Sequence, residues 1–185
     1  SKNPSYYIRG LSFPYKSHRQ STRMGDIRLR IMKPSDATEV YASWLNDGEV
    51  NRWLSVKTAT ADSQREYIEA WAKRADARLF AICCHEDCDG RVVGSLKLEL
   101  LSGYPNASPD VAVLALMIGD KTHWGRWIAT LAIRTGTELA FQMWPTIVEV
   151  QAGIHPRNIG SVRAFEKSDY QIDWPARVWA MYKKR

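Results

Sequence analysis

Residues 111–144 read VAVLALMIGDKTHWGRWIATLAIRTGTELAFQMW. The first eight, Val111 to Ile118, form an unbroken apolar run. It is too short to cross a bilayer and has the length of a strand buried on both faces. After the polar link Gly119–Thr122, the residues Ile128, Leu131, Ala132, Thr135 and Leu139 recur at three- and four-residue spacing. That spacing predicts a helix with one stripe turned to a sheet. Lys121, His123, Gly125 and Arg126 stand where this helix begins. Free backbone N–H groups and the positive end of the helix dipole favour an anion there, and a phosphate fits.

The flanking segments extend the pattern. Ile27, Leu29 and Ile31 alternate with Arg28 and Arg30, the period of a half-buried strand. Pro34-Ser35-Asp36 supplies helix-start chemistry, with Val40, Tyr41, Trp44 and Leu45 as the apolar face until Asn46-Asp47-Gly48. A second helix is predicted to open at Asp62 or Ser63 and to carry Tyr67, Ile68, Trp71, Ala72 and Ala75. Residues 78–84 and 91–101 flank a turn at 86–90 as a hairpin. On the C-terminal side a strand is predicted over 146–152 and a helix over 158–168. Short strands follow at 170–173 and 177–182, around a turn at Trp174-Pro175-Ala176. The order βααββ, βα, βαββ indicates an α/β domain with a mixed sheet.

At 185 residues, with 45% apolar and 25% charged residues, the chain has the composition of one soluble globular domain. Three cysteines give no disulfide framework and no secretory apolar segment is evident, so a reducing, cytoplasmic setting is expected. Five of the six net positive charges fall in residues 1–25, on Lys2, Arg9, Lys16, Arg19 and Arg23, with no carboxylate among them. This basic arm fits RNA or an acidic surface as well as a solvated leader, and Met24 is a candidate start of the folded unit, placing the domain at 26–185. Cys83, Cys84, His85 and Cys88 crowd the predicted hairpin without the paired spacing of a zinc site; core cysteines are the reading, and no metal is expected. No nucleophile-elbow serine is present for a hydrolase triad.

IGDKTHWGRWIATLA at 118–132 and HPRNIGSVRAFEKSDY at 155–170 resemble the GNAT superfamily of acyl-CoA N-acyltransferases. Within it the chain is most similar to the branch of ribosomal-protein N-terminal alanine acetyltransferases and amino-sugar acetyltransferases. IRLRIMKPSDATEVYASWLNDGEVNRWLS at 27–55 resembles that branch's opening strand and first two helices. The resemblance implies a single domain with a splayed central sheet flanked by helices, using acetyl-CoA to acetylate a primary amine. That amine would belong to a small molecule or a peptide, and the protein would act away from membranes as a monomer or homodimer. It also implies that Leu116, Met117 and Ile118 offer main-chain groups to the pantetheine arm. His123, Trp124, Gly125, Arg126, Trp127 and Ile128 would form the pyrophosphate loop. Trp53 would lie at the acceptor entrance, between residues 46–54 and the strand of Glu99.

The chain departs from the family pattern at three places. The loop's middle glycine is Trp127, whose indole must either point away from the ligand or occupy part of its site. The Asn-x-x-Ser pattern is present as Asn158 and Ser161, which the resemblance places beside pantetheine and near the sulfur, making Ser161 the candidate to assist the leaving thiolate. The tyrosine that many relatives carry seven residues after the asparagine is Phe165. Where relatives often place a glutamate base on the central strand stands Val113, leaving Glu99, Asp110, Asp47 and Glu49 as candidate bases. A site with only water as base suits an α-amine, with a pKa of about 8, better than a lysine amine at about 10.4. These departures support an alternative: a GNAT-fold module without turnover that binds RNA or protein through the basic arm.

Overall fold

The computed structural model describes residues 27–84, 91–101, 110–171 and the backbone of 172–173 and 180–184. The basic arm and the predicted turns at 86–90 and 174–176 lie outside the described residues, as do His85 and Cys88. Strands β1 (Ile27–Ile31), β2 (Ala77–Cys84), β3 (Val92–Leu100), β4 (Val111–Ile118), β5 (Glu149–Ile154), β6 (Gln171–Asp173) and β7 (Ala180–Lys184) form one sheet in the order β1-β2-β3-β4-β5-β7-β6. Only β4 and β5 are parallel; the other pairs are antiparallel. The helices are α1 (Glu39–Asn46), α2 (Ala61–Ala72), α3 (Ile128–Met143) and α4 (Ile159–Glu166). The element order expected from periodicity is the order found.

Alternation along β2 builds two cores. Phe80, Ile82 and Cys84 join Ile128, Ala132, Ile133 and Leu139 of α3, while Leu79, Ala81 and Cys83 join Tyr41 and Leu45 of α1 and Ile68 of α2. The adjacent cysteines are therefore buried on opposite faces of the sheet, which prevents them from sharing a metal ion. No group of His, Cys, Asp and Glu suited to a metal occurs among the described residues. No described helix is long and apolar enough to cross a membrane.

Several element ends differ from the expected ones because side chains cap other turns. Pro34–Asp36 is a 3-10 turn, and α1 starts after Thr38, whose side-chain oxygen accepts from Tyr41 N–H at 3.1 Å. Val40, expected on the apolar face, is exposed. Helix α2 starts at Ala61 behind Thr60, which exchanges hydrogen bonds with Ser63 in a reciprocal cap. Strand β5 begins at Glu149, with Val148 left exposed.

Asp36 has a structural role in place of starting a helix. Its carboxylate accepts two bonds from the Arg30 guanidinium, at 2.7 and 2.6 Å, and one from Lys33 N–H at 2.7 Å. Burial works to raise its pKa, but the Arg30 bonds outweigh that and hold it below the usual carboxylate value. The folded value is thus depressed, so its stabilisation is present above the unfolded pKa of about 3.9 and is lost as pH falls through the folded value. Asp36→Ala is expected to lower unfolding free energy by about 2 kcal/mol at neutral pH. Urea unfolding at pH 7 and pH 3 checks this: the gap between the two proteins should narrow in acid.

Candidate active site

The parallel pairing of β4 with β5 covers only Val111–Glu149, Ala112–Val150 and Val113–Gln151. Strand β4 then continues to Ile118 and β5 to Ile154, and the two part. This explains why β4 is not buried throughout as the apolar run suggests: Ala115 is exposed, and Leu116 and Ile118 are partly so.

Two hydrogen bonds fix which main-chain groups face the opening. Asp110 C=O accepts from Val148 N–H at 2.8 Å toward β5, and Gly119 N–H donates to Val93 C=O at 2.9 Å toward β3. Alternation along the strand then turns the main-chain groups of Leu114, Leu116 and Ile118 to the opening. Those of Met117 turn to β3, where its carbonyl lies against Gly94. The expectation for residues 116–118 is corrected in this respect: Met117 reaches the cavity by its side chain and not by its main chain. The Ile118 carbonyl accepts from the Trp124 indole N–H at 2.8 Å, which braces the loop against the strand.

The loop between β4 and α3 is built from local bonds. The Asp120 carboxylate accepts from Thr122 N–H at 3.0 Å and lies 3.2 Å from Nδ1 of buried His123. Although burial opposes it, the Thr122 hydrogen bonds hold the Asp120 pKa below its ordinary value. Gly119 permits close approach, since a Cβ there would run into the Trp44 indole. Gly125 has φ 74° and Trp127 φ 66°, both left-handed. Tryptophan in that conformation costs roughly 1–2 kcal/mol.

The first N–H of α3 bonded back within the helix is that of Leu131, to Trp127 C=O at 2.9 Å, and no side chain caps the helix at Trp127. The N–H groups of Ile128, Ala129 and Thr130 therefore lie ahead of the first intrahelical bond, beside the cavity these residues line. The Trp127 indole is 42% exposed, and the Lys167 ammonium sits 4.0 Å from its ring centre. The residue that replaces glycine thus carries a cation to the mouth of the helix.

Across the opening, the Asn158 side-chain oxygen caps α4 by accepting from Ser161 N–H at 3.3 Å. Nearer β5, Trp53 stacks on His155 with ring centres 4.4 Å apart. These parts surround one cavity of about 770 Å³, a size suited to a small-molecule site. Of the residues singled out from sequence, Leu116, Met117, Ile118, His123, Trp124, Gly125, Trp127, Ile128, Asn158 and Ser161 line it, as does Trp53. Arg126 is exposed and outside the lining. Lys167, Arg163, Arg157 and Arg52 also line it. Sequence reasoning passed over these cations, for which the four-residue spacing of Arg163 on α4 and Lys167 at its C-cap was the available signal.

The candidate bases fare differently. Glu99 is bound to Arg74 at 2.5 Å and does not line the cavity. Antiparallel pairing sets it level with Val113, about 10 Å along the strand from Leu116. Asp110 is at the N-terminal end of β4, away from the opening. The Lys121 ammonium holds both Asp47, at 2.7 Å, and Glu49, at 2.6 Å. The hydrogen bond from Lys121 pulls the Asp47 pKa below its ordinary value. Phe165 is buried in the core, edge-on to Tyr170, and does not face the cavity.

Comparison with known proteins agrees with this architecture. The chain is 28% identical over 123 residues to "Probable N-acetyltransferase YjcK" of Bacillus subtilis (strain 168), covering 64% of this chain and 63% of that protein's length. The aminoglycoside acetyltransferase AAC(6')-Ib in complex with coenzyme A superposes with a TM-score of 0.70 at 19% identity, over 86% of this chain and 94% of that one. A GNAT-family acetyltransferase from Bacillus anthracis gives 0.66 at 13% identity, over 85% and 92%. At these identities the structural likeness is one of fold. The Acetyltransferase (GNAT) domain family matches residues 26–171. The strand that parts from its neighbour, the bare helix start and the matched span together place this chain in the GNAT acetyltransferase family.

Proposed function

We propose that the protein is an acetyl-CoA-dependent N-acetyltransferase acting on a primary amine by direct attack. The observation that carries this reading is the continuity of the cavity, which joins the open β4 edge to the bare start of α3 with Asn158 and Ser161 between them. The coenzyme A and kanamycin complexes of the structural neighbours support it.

Acetyl-CoA would supply a thioester whose C–S bond breaks as the amine nitrogen forms a C–N bond. The residues fit that ligand. Leu116 and Ile118 present the main-chain edge to which a pantetheine arm adds as a strand would. The N–H groups of Ile128, Ala129 and Thr130, aided by Lys167 and Arg163, suit a pyrophosphate. Ser161, on the first turn of α4, donates its hydroxyl toward the departing thiolate and lowers the energy of the charge that develops there. No described carboxylate lining the cavity lacks a cation of its own: Glu49, the one acidic residue in the lining, is held by Lys121. With no unpaired carboxylate among the described lining residues, water is the acceptor we assign to the amine proton.

Calorimetric titration with acetyl-CoA tests the reading; saturable one-to-one binding supports it, and none at millimolar ligand sinks it. Ser161→Ala is expected to lower kcat by about ten- to a hundredfold with acetyl-CoA affinity unchanged. Equal losses in turnover and affinity would assign Ser161 to packing.

A further inference from the structure

The cations that line the cavity sort to its two ends. Lys167, over Trp127, and Arg163, one turn earlier on α4, lie toward the start of α3, where Ser168 Oγ donates to Thr130 C=O at 3.3 Å. Arg52 and Arg157 lie at the other end. The Arg52 guanidinium is 5.2 Å above the Trp53 ring, Trp53 stacks on His155, and the main-chain N–H of Arg157 donates to His155 Nδ1 at 3.1 Å. Among the described residues neither arginine has a carboxylate partner. The one carboxylate in the lining, Glu49, is neutralised by Lys121.

A pocket for a polycation would carry acidic groups at its acceptor end; among the described residues this one carries the Arg52 guanidinium on an aromatic shelf, with Arg157 also in the lining. Resting on the N-acetyltransferase reading above, we infer that the acceptor is a small primary amine bearing an anionic group, carboxylate or phosphate, which Arg52 and Arg157 bind. Polycationic amines are rejected by like charge. The Trp53 ring beneath Arg52 limits the motion of the guanidinium and favours planar, two-point binding of an oxyanion.

The full-length chain is assayed for thiol release from acetyl-CoA with methionine against methioninamide, O-phosphoethanolamine against ethanolamine, and kanamycin and spermidine as polycations. The expected result is a kcat/KM at least tenfold higher for the anionic member of a pair, with polycations lowest. The two pairs separate carboxylate from phosphate recognition. Arg52→Gln should cut the preference about tenfold and leave acetyl-CoA affinity unchanged. Faster turnover of the neutral or polycationic amines overturns the inference, as does an unchanged preference in Arg52→Gln. So does a protein that binds acetyl-CoA but acetylates neither anionic amine. A protein that binds no acetyl-CoA overturns the underlying reading, and this inference falls with it.

Discussion

Gly125→Glu is expected to raise the dissociation constant of acetyl-CoA about a thousandfold while leaving the chain folded. A Cβ at Gly125 meets nothing within 4 Å, so the substitution has room. The backbone there has φ 74°, which costs any other residue roughly 1–2 kcal/mol, less than a typical folding free energy. The new carboxylate would stand at the mouth of α3, in the space assigned to a pyrophosphate. Two like charges about 4 Å apart at an effective dielectric constant of about 20 repel by about 4 kcal/mol, close to a factor of a thousand. Gly125→Ala separates the causes, since it carries the backbone cost without the charge. Calorimetry on both variants, with thermal melts as the control for folding, reads the effect. Wild-type affinity in Gly125→Glu would remove the phosphate from this loop.

Phe165→Ala is expected to destabilise the protein by about 4 kcal/mol. Phe165 is 2% exposed and meets Tyr170 edge-on at 5.0 Å, and the Tyr170 hydroxyl shares a 2.6 Å hydrogen bond with Thr137 of α3. Burial carries the Tyr170 pKa up to about 12. This aromatic pair ties α4 to α3. Helix α4 has eight residues, too few to hold its shape without packing, and it carries Asn158 at its cap and Ser161 on its first turn. Loss of the ring therefore loosens the wall of the cavity as well as the core. The urea midpoint should fall with the slope unchanged, and acetyl-CoA should recover part of the loss at saturation. A change under 1 kcal/mol would mean that α4 is held elsewhere.

The segment around β4 was legible from sequence because periodicity is a local property. An apolar run of eight residues, a polar link and a three-four stripe are set by neighbours a few positions apart. They named the strand, the helix and the loop between them within a residue. The same locality misled at Pro34-Ser35-Asp36. Those residues have the chemistry of a helix start, but the Asp36 carboxylate is drawn to Arg30 on β1. Thr38 then becomes the residue that frees the next turn to wind.

What local pattern established is the element order and the strand, loop and helix over 111–143, while the residues expected around a cofactor came from the family resemblance. Partners and registers came only with tertiary structure, because they are chosen between residues far apart in the chain. Glu99, Asp47 and Glu49 all read as possible bases; the structure pairs Glu99 with Arg74 and gathers Asp47 and Glu49 on Lys121, which is 72 residues from Glu49. Trp127 looked like an obstacle in a loop that favours glycine, and folding places it beneath Lys167, whose charge it brings to the site. The end of β4–β5 pairing at Val113 creates the opening itself, and no side-chain pattern marks it, because the groups that lose their partners there are main-chain N–H and C=O, common to every residue.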